Sequence, residues 1–137
     1  MVIVDTSVWI DFLNRKSTPE TLWLRDRRGG NAIGLTTLVL VEVLQGIRFE
    51  RRFREAESHF RLLPVFDGVS TQIALQSAQN YRTLRALGVT IRSTVDCLIA
   101  TFCIEKRHRL LHHDSDFNHF EQHLGLLVVD PSEDSRK

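Results

Sequence analysis

The chain is poor in most of the features that announce a specialised class of protein. Its 137 residues include two cysteines, three prolines, seven glycines, one methionine and one tyrosine. Cys97 and Cys103 have no Cys-x-x-Cys or Cys/His spacing around them, which removes a zinc site. On one helix their α-carbons would lie roughly 9 Å apart, beyond disulfide reach, so both are expected to be reduced and buried. An excess of one charge is lacking too, with 18 Lys and Arg against 17 Asp and Glu. No global basicity therefore points to nucleic acid, and any such surface must be local. No apolar run approaches about 18 residues, and no basic-then-apolar leader opens the sequence. Membrane partners are not expected, and the cytoplasm is the expected location. Repeats and low-complexity segments are also missing. What is present is an ordinary globular composition, 42% hydrophobic, that predicts one domain over residues 1–130 followed by a polar tail, 131–137.

The most informative stretch is the first. Met1-Val2-Ile3-Val4 runs without alternation into Asp5, Thr6 and Ser7, the pattern of a strand buried on both faces of a parallel sheet. Ligands of open α/β sheets bind just past the carboxyl ends of such strands, so Asp5 would stand at that rim. A helix from Thr6 to Leu13, capped by Thr6 or Ser7, should follow, and Thr18-Pro19-Glu20 starts a second one that ends near Arg27-Arg28-Gly29-Gly30. A strand over residues 31–36 leads to a helix from Thr37 to Gln45 stopped by Gly46. Residues 48–61 form a charged helix, residues 62–66 a short strand, and residues 70–87 a long helix closed by Gly88. Another helix, with Thr94 as its cap, runs to Lys106. Residues 109–112 and 126–129 are strands, with a helix from Phe117 to Leu124 between them. This alternation predicts a central, mostly parallel five-stranded sheet.

Four carboxylates stand out within that frame. Asp5 and Asp114 follow strands, Asp96 opens a helix, and Glu42 lies beside an apolar helical stripe, where a carboxylate is costly unless something pairs with it. If the four meet, their like charges raise one another's pKa values and call for a cation. An all-oxygen site without cysteine suits a hard divalent ion, Mg²⁺ or Mn²⁺, and such ions serve in-line phosphodiester hydrolysis. Each acid also has a structural explanation that stays open: Asp5 and Asp114 as helix caps, Asp96 as a partner of the helix dipole, Glu42 as a partner of an arginine. His112 and His113 alternate faces along a strand end, so at most one can face the site. Trp9 and Trp23 read as core. The Arg-rich segment 48–61 reads as a solvated helix laced with ion pairs, and Arg25, Arg27, Arg28 and Arg92 are candidate phosphate contacts or ordinary surface charge.

Four stretches in order, Val4-Asp5-Thr6-Ser7-Val8-Trp9-Ile10, Leu40-Val41-Glu42-Val43-Leu44-Gln45-Gly46, Arg92-Ser93-Thr94-Val95-Asp96-Cys97-Leu98-Ile99-Ala100 and Leu110-Leu111-His112-His113-Asp114-Ser115-Asp116-Phe117, span nearly the whole chain. Together they resemble the PIN-domain proteins, and most closely the VapC toxins of bacterial toxin–antitoxin pairs. The resemblance implies a three-layer α/β/α fold and a Mg²⁺- or Mn²⁺-dependent endoribonuclease acting on tRNA or ribosomal RNA loops. It assigns the metal to Asp5, Glu42, Asp96 and Asp114, makes Asp116 an auxiliary acid, and gives Ser7 the task of holding Asp5 or a water. It further implies a cognate VapB-type antitoxin and a toxin homodimer. One departure is Thr101-Phe102-Cys103, where such proteins more often carry small residues. A DNA structure-specific nuclease and a non-catalytic acidic-pocket module are the alternatives. A receiver domain would want adjacent acids after the first strand, and a haloacid-dehalogenase-type phosphatase would want Asp where Ser7 stands.

Overall fold

The computed structural model describes residues 1–27 and 32–134. Its five strands are β1 (Val2–Val4), β2 (Ile33–Thr36), β3 (Val65–Phe66), β4 (Arg109–Leu111) and β5 (Leu127–Val128). All are parallel, in the order β3-β2-β1-β4-β5. The unalternated run at the start of the chain becomes the middle of the sheet for the reason its composition suggests. Ile3 and Val4 are fully buried, with Ile3 opposite Gly34 on one side and Leu110 on the other.

The helices are α1 (Thr6–Leu13), α2 (Pro19–Arg27), α3 (Thr37–Gln45), α4 (Glu50–Phe60), α5 (Thr71–Ala86), α6 (Thr94–Lys106), α7 (Asp116–Leu124) and α8 (Pro131–Asp134). Parallel strands need crossovers, and crossovers are right-handed. The chain first steps from β1 to β2 to β3 in one direction and later returns to β4 and β5 in the other. Its helices therefore divide between the two faces. Contacts run among α1, α2, α3 and α4 on one side and among α5, α6 and α7 on the other, with α8 against α2. The result is the three-layer α/β/α arrangement expected from the sequence.

The core fills the layers with Trp9, Phe60, Leu84, Ile99, Phe117 and Phe120 among others, and Trp23 is core as well. A polar ladder crosses α5 and α6. Gln76 Nε2 donates to Asn80 Oδ1 at 2.9 Å, and Asn80 Nδ2 to Thr101 Oγ1 at 3.0 Å. Thr101, the residue that departs from the small ones expected there, is thus fully buried with its hydroxyl satisfied. Cys97 and Cys103 are free and buried, and burial pushes both thiols above the ordinary range. Helix α4 carries the pairs Arg51–Glu55, Arg54–Glu50 and Arg61–Glu57, all one turn apart and exposed, as its charge pattern predicts. No helix among the described residues is long and apolar enough to cross a membrane.

Several boundaries differ from the sequence reading. The third strand is only Val65–Phe66, because Leu62 and Leu63 still donate their amides to His59 and Phe60 and extend the turn that ends α4. Asp5, with extended backbone, caps α1 through the Ser7 amide in place of Thr6 or Ser7. Ser93 caps α6 by accepting from the Asp96 amide at 3.2 Å, whereas Thr94 already has helical backbone. Where the composition suggests a tail, Asp130 Oδ1 accepts from the Ser132 amide at 2.9 Å and Pro131 opens α8, a first-position role that suits its fixed φ. The predicted stop at Gly29-Gly30 and the last three residues, 135–137, lie outside the described residues.

Gly34 marks the tightest point of the sheet. A Cβ there would meet Met1 Sδ and the Pro64 carbonyl oxygen at 3.0 Å, and the carbonyl cannot swing away. Gly46 has right-handed helical backbone, and its nearest atom would be 3.6 Å away. Gly34→Ala should therefore lower stability by about 1–3 kcal/mol, while Gly46→Ala should be neutral or gain about 0.4–1 kcal/mol. Urea denaturation midpoints of the two variants check this, and equal shifts would contradict it.

Candidate active site

Strand order reverses between β1 and β4, since the chain leaves β1 in one direction and β4 in the other. The carboxyl ends at such a reversal open a crevice, because the helices that follow them go to opposite faces. Asp5 immediately follows β1, and its amide donates to the Leu111 carbonyl at 2.9 Å, continuing the ladder to the end of β4. Asp114 follows β4 by three residues. Asp96 enters from the first turn of α6, on one face, and Glu42 from α3, on the other.

Asp5 is 3% exposed. Its Oδ2 accepts from the Ser7 amide at 3.3 Å and the Ser7 hydroxyl at 3.0 Å. Its Oδ1 is buried with no hydrogen-bond partner. Burial pushes the carboxyl up to about 6; the Ser7 bonds and the Thr6 amide oppose the shift, and the charge of Glu42 adds to it. Glu42 is half-buried and accepts from Thr6 Oγ1 at 2.7 Å. Thr6 and Ser7, adjacent in sequence, thus each hold one of the site's acids.

Asp96 is pushed up to about 7, first by burial and then by the charges of Asp5, Asp114, Glu42 and Asp116. All five acids consequently share one electrostatic neighbourhood. Asp114 Oδ1 accepts from the Asp116 amide at 2.9 Å, and Asp116 Oδ2 lies 3.9 Å from Arg92 Nε. Among the described residues no three His, Cys, Asp or Glu side chains are gathered tightly enough to hold a metal ion as they stand. Mutual repulsion opposes closer approach of carboxylates that no cation neutralises. The donor set is all oxygen, and Asp5 Oδ1 is an unsatisfied buried acceptor. Both features fit a hard divalent cation and neither fits a soft one.

Of the other residues singled out from sequence, Ser7 is on Asp5, and Asp116 adds its charge to those acting on Asp96. Thr94 is exposed, and the supporting hydroxyl on α6 is Ser93 instead. Arg92 stands at the acidic rim through Asp116 and is otherwise exposed. Arg25 pairs with Asp26 at 3.7 Å and lines a groove between α1, α2, α3 and α4 whose walls include none of the five acids. Arg28 lies outside the described residues. His112 is half-buried; its Nδ1 accepts from the Asp114 amide at 3.2 Å, its ring packs on Phe117, and burial lowers its pKa. His113 is exposed and its Nδ1 lies 3.0 Å from Glu20 Oε1. Two residues escaped the sequence reading: Thr6, read only as a cap, and Ser93. In both cases the signal was present as a hydroxyl next to or near an acid, and only the backbone angles decide which hydroxyl caps and which supports.

The PIN domain family model matches residues 2–122. Over 121 residues the chain is 29% identical to Ribonuclease VapC11 of Mycobacterium tuberculosis and equally to a VapC ribonuclease of Mycobacterium bovis, covering 86% of this chain and 90% of each relative. Among solved structures, DNA-bound VapBC from Salmonella typhimurium superposes with a TM-score of 0.76 at 22% identity over 95% of this chain and 97% of that one. VapBC-1 from nontypeable Haemophilus influenzae does so with a TM-score of 0.75 at 18% identity over 96% and 99%. These structures have the same fold.

The raised carboxyls set a pH dependence. Their folded-state pKa values, about 6 for Asp5 and about 7 for Asp96, exceed the ordinary 3.8. The folded chain then keeps protons that the unfolded chain has released, and stability falls as pH rises from about 4 through about 7. In chelator, the thermal midpoint should decline over that window. Asp96→Asn should stabilise the protein at pH 8 by about 0.5–2 kcal/mol, a gain held down by solvent screening at this half-exposed group. A variant less stable than the parent at pH 8 would refute it.

Proposed function

We propose, from the premise that this chain belongs to the PIN-domain family, that it is an endoribonuclease toxin dependent on Mg²⁺ or Mn²⁺ and restrained by a VapB-type antitoxin. The observation that carries the reading is the convergence of five acids on the β1/β4 crevice with one buried carboxylate oxygen left without a partner. Two curated relatives of nearly the same length are named VapC ribonucleases, which supports the reaction class.

Asp5 through Oδ1, with Glu42, Asp96 and Asp114, would hold the cation. A divalent ion bound there supplies Lewis-acid stabilisation of the charge that develops in an in-line phosphodiester displacement. The chain's own residues prepare for it. Ser7 fixes the orientation of Asp5 by occupying Oδ2, and Thr6 fixes Glu42. Asp96, pushed up to about 7 by burial and then by the charges of the other acids, is the carboxylate that a bound cation would relieve most. Arg92, at the rim, offers a guanidinium to a phosphate flanking the scissile one. Unpaired RNA loops suit such a site because their backbone can be splayed toward it.

For the partner, the groove on the α1–α4 face offers an apolar floor with Ile10, Leu22 and Phe49 and a basic rim with Arg15, Lys16 and Arg52. That surface suits an acidic amphipathic segment of an antitoxin. Self-association into a homodimer belongs to the same reading, and so does a domain boundary near residue 130.

Asp5→Asn keeps the cap to the Ser7 amide and removes the ligand charge. It should leave the fold intact and lower RNA cleavage at least about a hundred-fold. Sequencing of new 5′ ends after incubating purified protein with tRNA and ribosomal RNA and Mn²⁺ checks both the activity and the variant. A folded Asp5→Asn protein that cleaves with undiminished metal dependence would overturn the reading.

A further inference from the structure

The short link between β4 and α7 carries Asp114, and little in the link itself holds it. Asp114 closes a local turn on the Asp116 amide, and its own amide rests on the His112 ring. Both bonds, and that of the Phe117 amide to the Asp114 carbonyl at 3.2 Å, join residues at most three positions apart. His113 makes a contact of a different range. Its Nδ1–H donates to Glu20 Oε1 at 3.0 Å, a contact that spans 93 residues of sequence. A carboxylate cannot donate, so the direction of this bond is set, and a neutral imidazole with its proton on Nδ1 makes it as well as a charged one does.

Glu20 is well suited to act as an anchor. It sits one residue after Pro19 in the first turn of α2, where the helix dipole favours a carboxylate. The turn beneath it is cross-bonded. The Thr18 amide donates to Thr21 Oγ1 at 2.8 Å, the Thr21 amide to Thr18 Oγ1 at 3.0 Å, and Thr21 Oγ1 to the Lys16 carbonyl at 2.8 Å. The Glu20 side chain is 15% exposed, while that of His113 is 58% exposed, so the fixed partner is the glutamate and the held one is the histidine. The second oxygen of Glu20 is buried without a partner. That is a cost a surface-seeking glutamate would avoid by turning outward. Local helix stability does not explain it, because an exposed rotamer would serve the dipole equally well.

We infer that Glu20 is a positioning residue: through His113 it holds the β4–α7 link and so sets where Asp114 stands relative to Asp5 and Asp96. The inference rests on the reading of the acids as a metal-dependent nuclease site. Catalytic geometry tolerates only about 0.5 Å of error, so a link free to move lowers turnover more than it lowers binding of a long RNA gripped elsewhere.

The test is a double-mutant cycle on Glu20→Ala and His113→Ala, read by kcat and KM on a cleaved RNA and, independently of cleavage, by the Mn²⁺ dissociation constant from calorimetry. Each single variant should lower kcat about five- to fifty-fold, with KM within about two-fold, and weaken Mn²⁺ binding. The double variant should be no worse than either single one, because both break the same contact. Glu20→Gln, which keeps an acceptor oxygen for Nδ1–H, should recover most of the loss. His113 is exposed, so its variant reports even if Glu20→Ala folds poorly. Unchanged kcat and Mn²⁺ affinity in His113→Ala would overturn the inference, as would losses that multiply in the double variant. A parent protein that neither cleaves RNA nor binds Mn²⁺ would instead overturn the nuclease reading on which it stands.

Discussion

Everything at the carboxyl edge of this sheet depends on a repulsion. Five carboxylates from the end of β1, α3, α6 and the β4–α7 region share one crevice, and burial, with their mutual repulsion added to it, lifts Asp96 to about 7. Like charges brought together without a counter-ion cost free energy, and the fold must impose their approach. It does so from its stiffest part. β1 is bonded to strands on both sides and buried on both faces, so Asp5 cannot retreat, and the ladder from its amide to Leu111 fixes the end of β4 beside it. Glu42 and Asp96 are delivered by helices packed on opposite layers, and Asp114 and Asp116 by the β4–α7 link and the start of α7. The hydrophobic burial of the sheet supplies the free energy against which the acids are gathered.

Topology decides where that gathering can occur. Right-handed crossovers in two directions leave one place, between β1 and β4, where helices diverge to opposite faces and the strand ends open to solvent. Glu42 from one layer and Asp96 from the other can reach the same crevice only there. The hydroxyls that steady the site come from the same local logic. Thr6 and Ser7 begin the helix that departs from the crevice, so their side chains stay close to Asp5 and Glu42, and Ser93 braces the turn that presents Asp96.

Much of this was legible from residues alone. The unalternated Val2-Ile3-Val4 run, the strand–helix alternation and the acids after strand ends gave the parallel sheet and the candidate acids, while the three layers came with the resemblance to PIN-domain proteins. The long charged helix also behaved as its pattern implied. Choices among adjacent polar residues were not legible. Asp5, Thr6 and Ser7 can each cap a helix, as can Ser93 and Thr94, and the decision belongs to a backbone angle that tertiary packing sets. Leu62 and Leu63 have strand-like composition but are drawn into the end of α4, because Pro64 leaves no amide for an earlier ladder bond. The pairing of Glu20 with His113 had no local signal at all, since its partners lie on elements that meet only in the folded sheet.

The two oxygens of Asp5 separate the structural and chemical explanations of that residue. Oδ2 caps α1 and receives Ser7, which accounts for a polar side chain at the position. An asparagine oxygen would make the same two bonds without a charge to bury. The carboxylate instead brings a charge that burial resists and a second oxygen that meets no donor. A cap alone selects against both properties. Glu42 repeats the pattern in milder form: one oxygen is engaged by Thr6, and the residue lies beside an apolar stripe where glutamine would cost less. Two acids, one buried and one half-buried, that each exceed their structural task in one crevice with Asp96 and Asp114 point to a task that needs negative charge. On the proposed nuclease reading, a divalent cation would offset that charge.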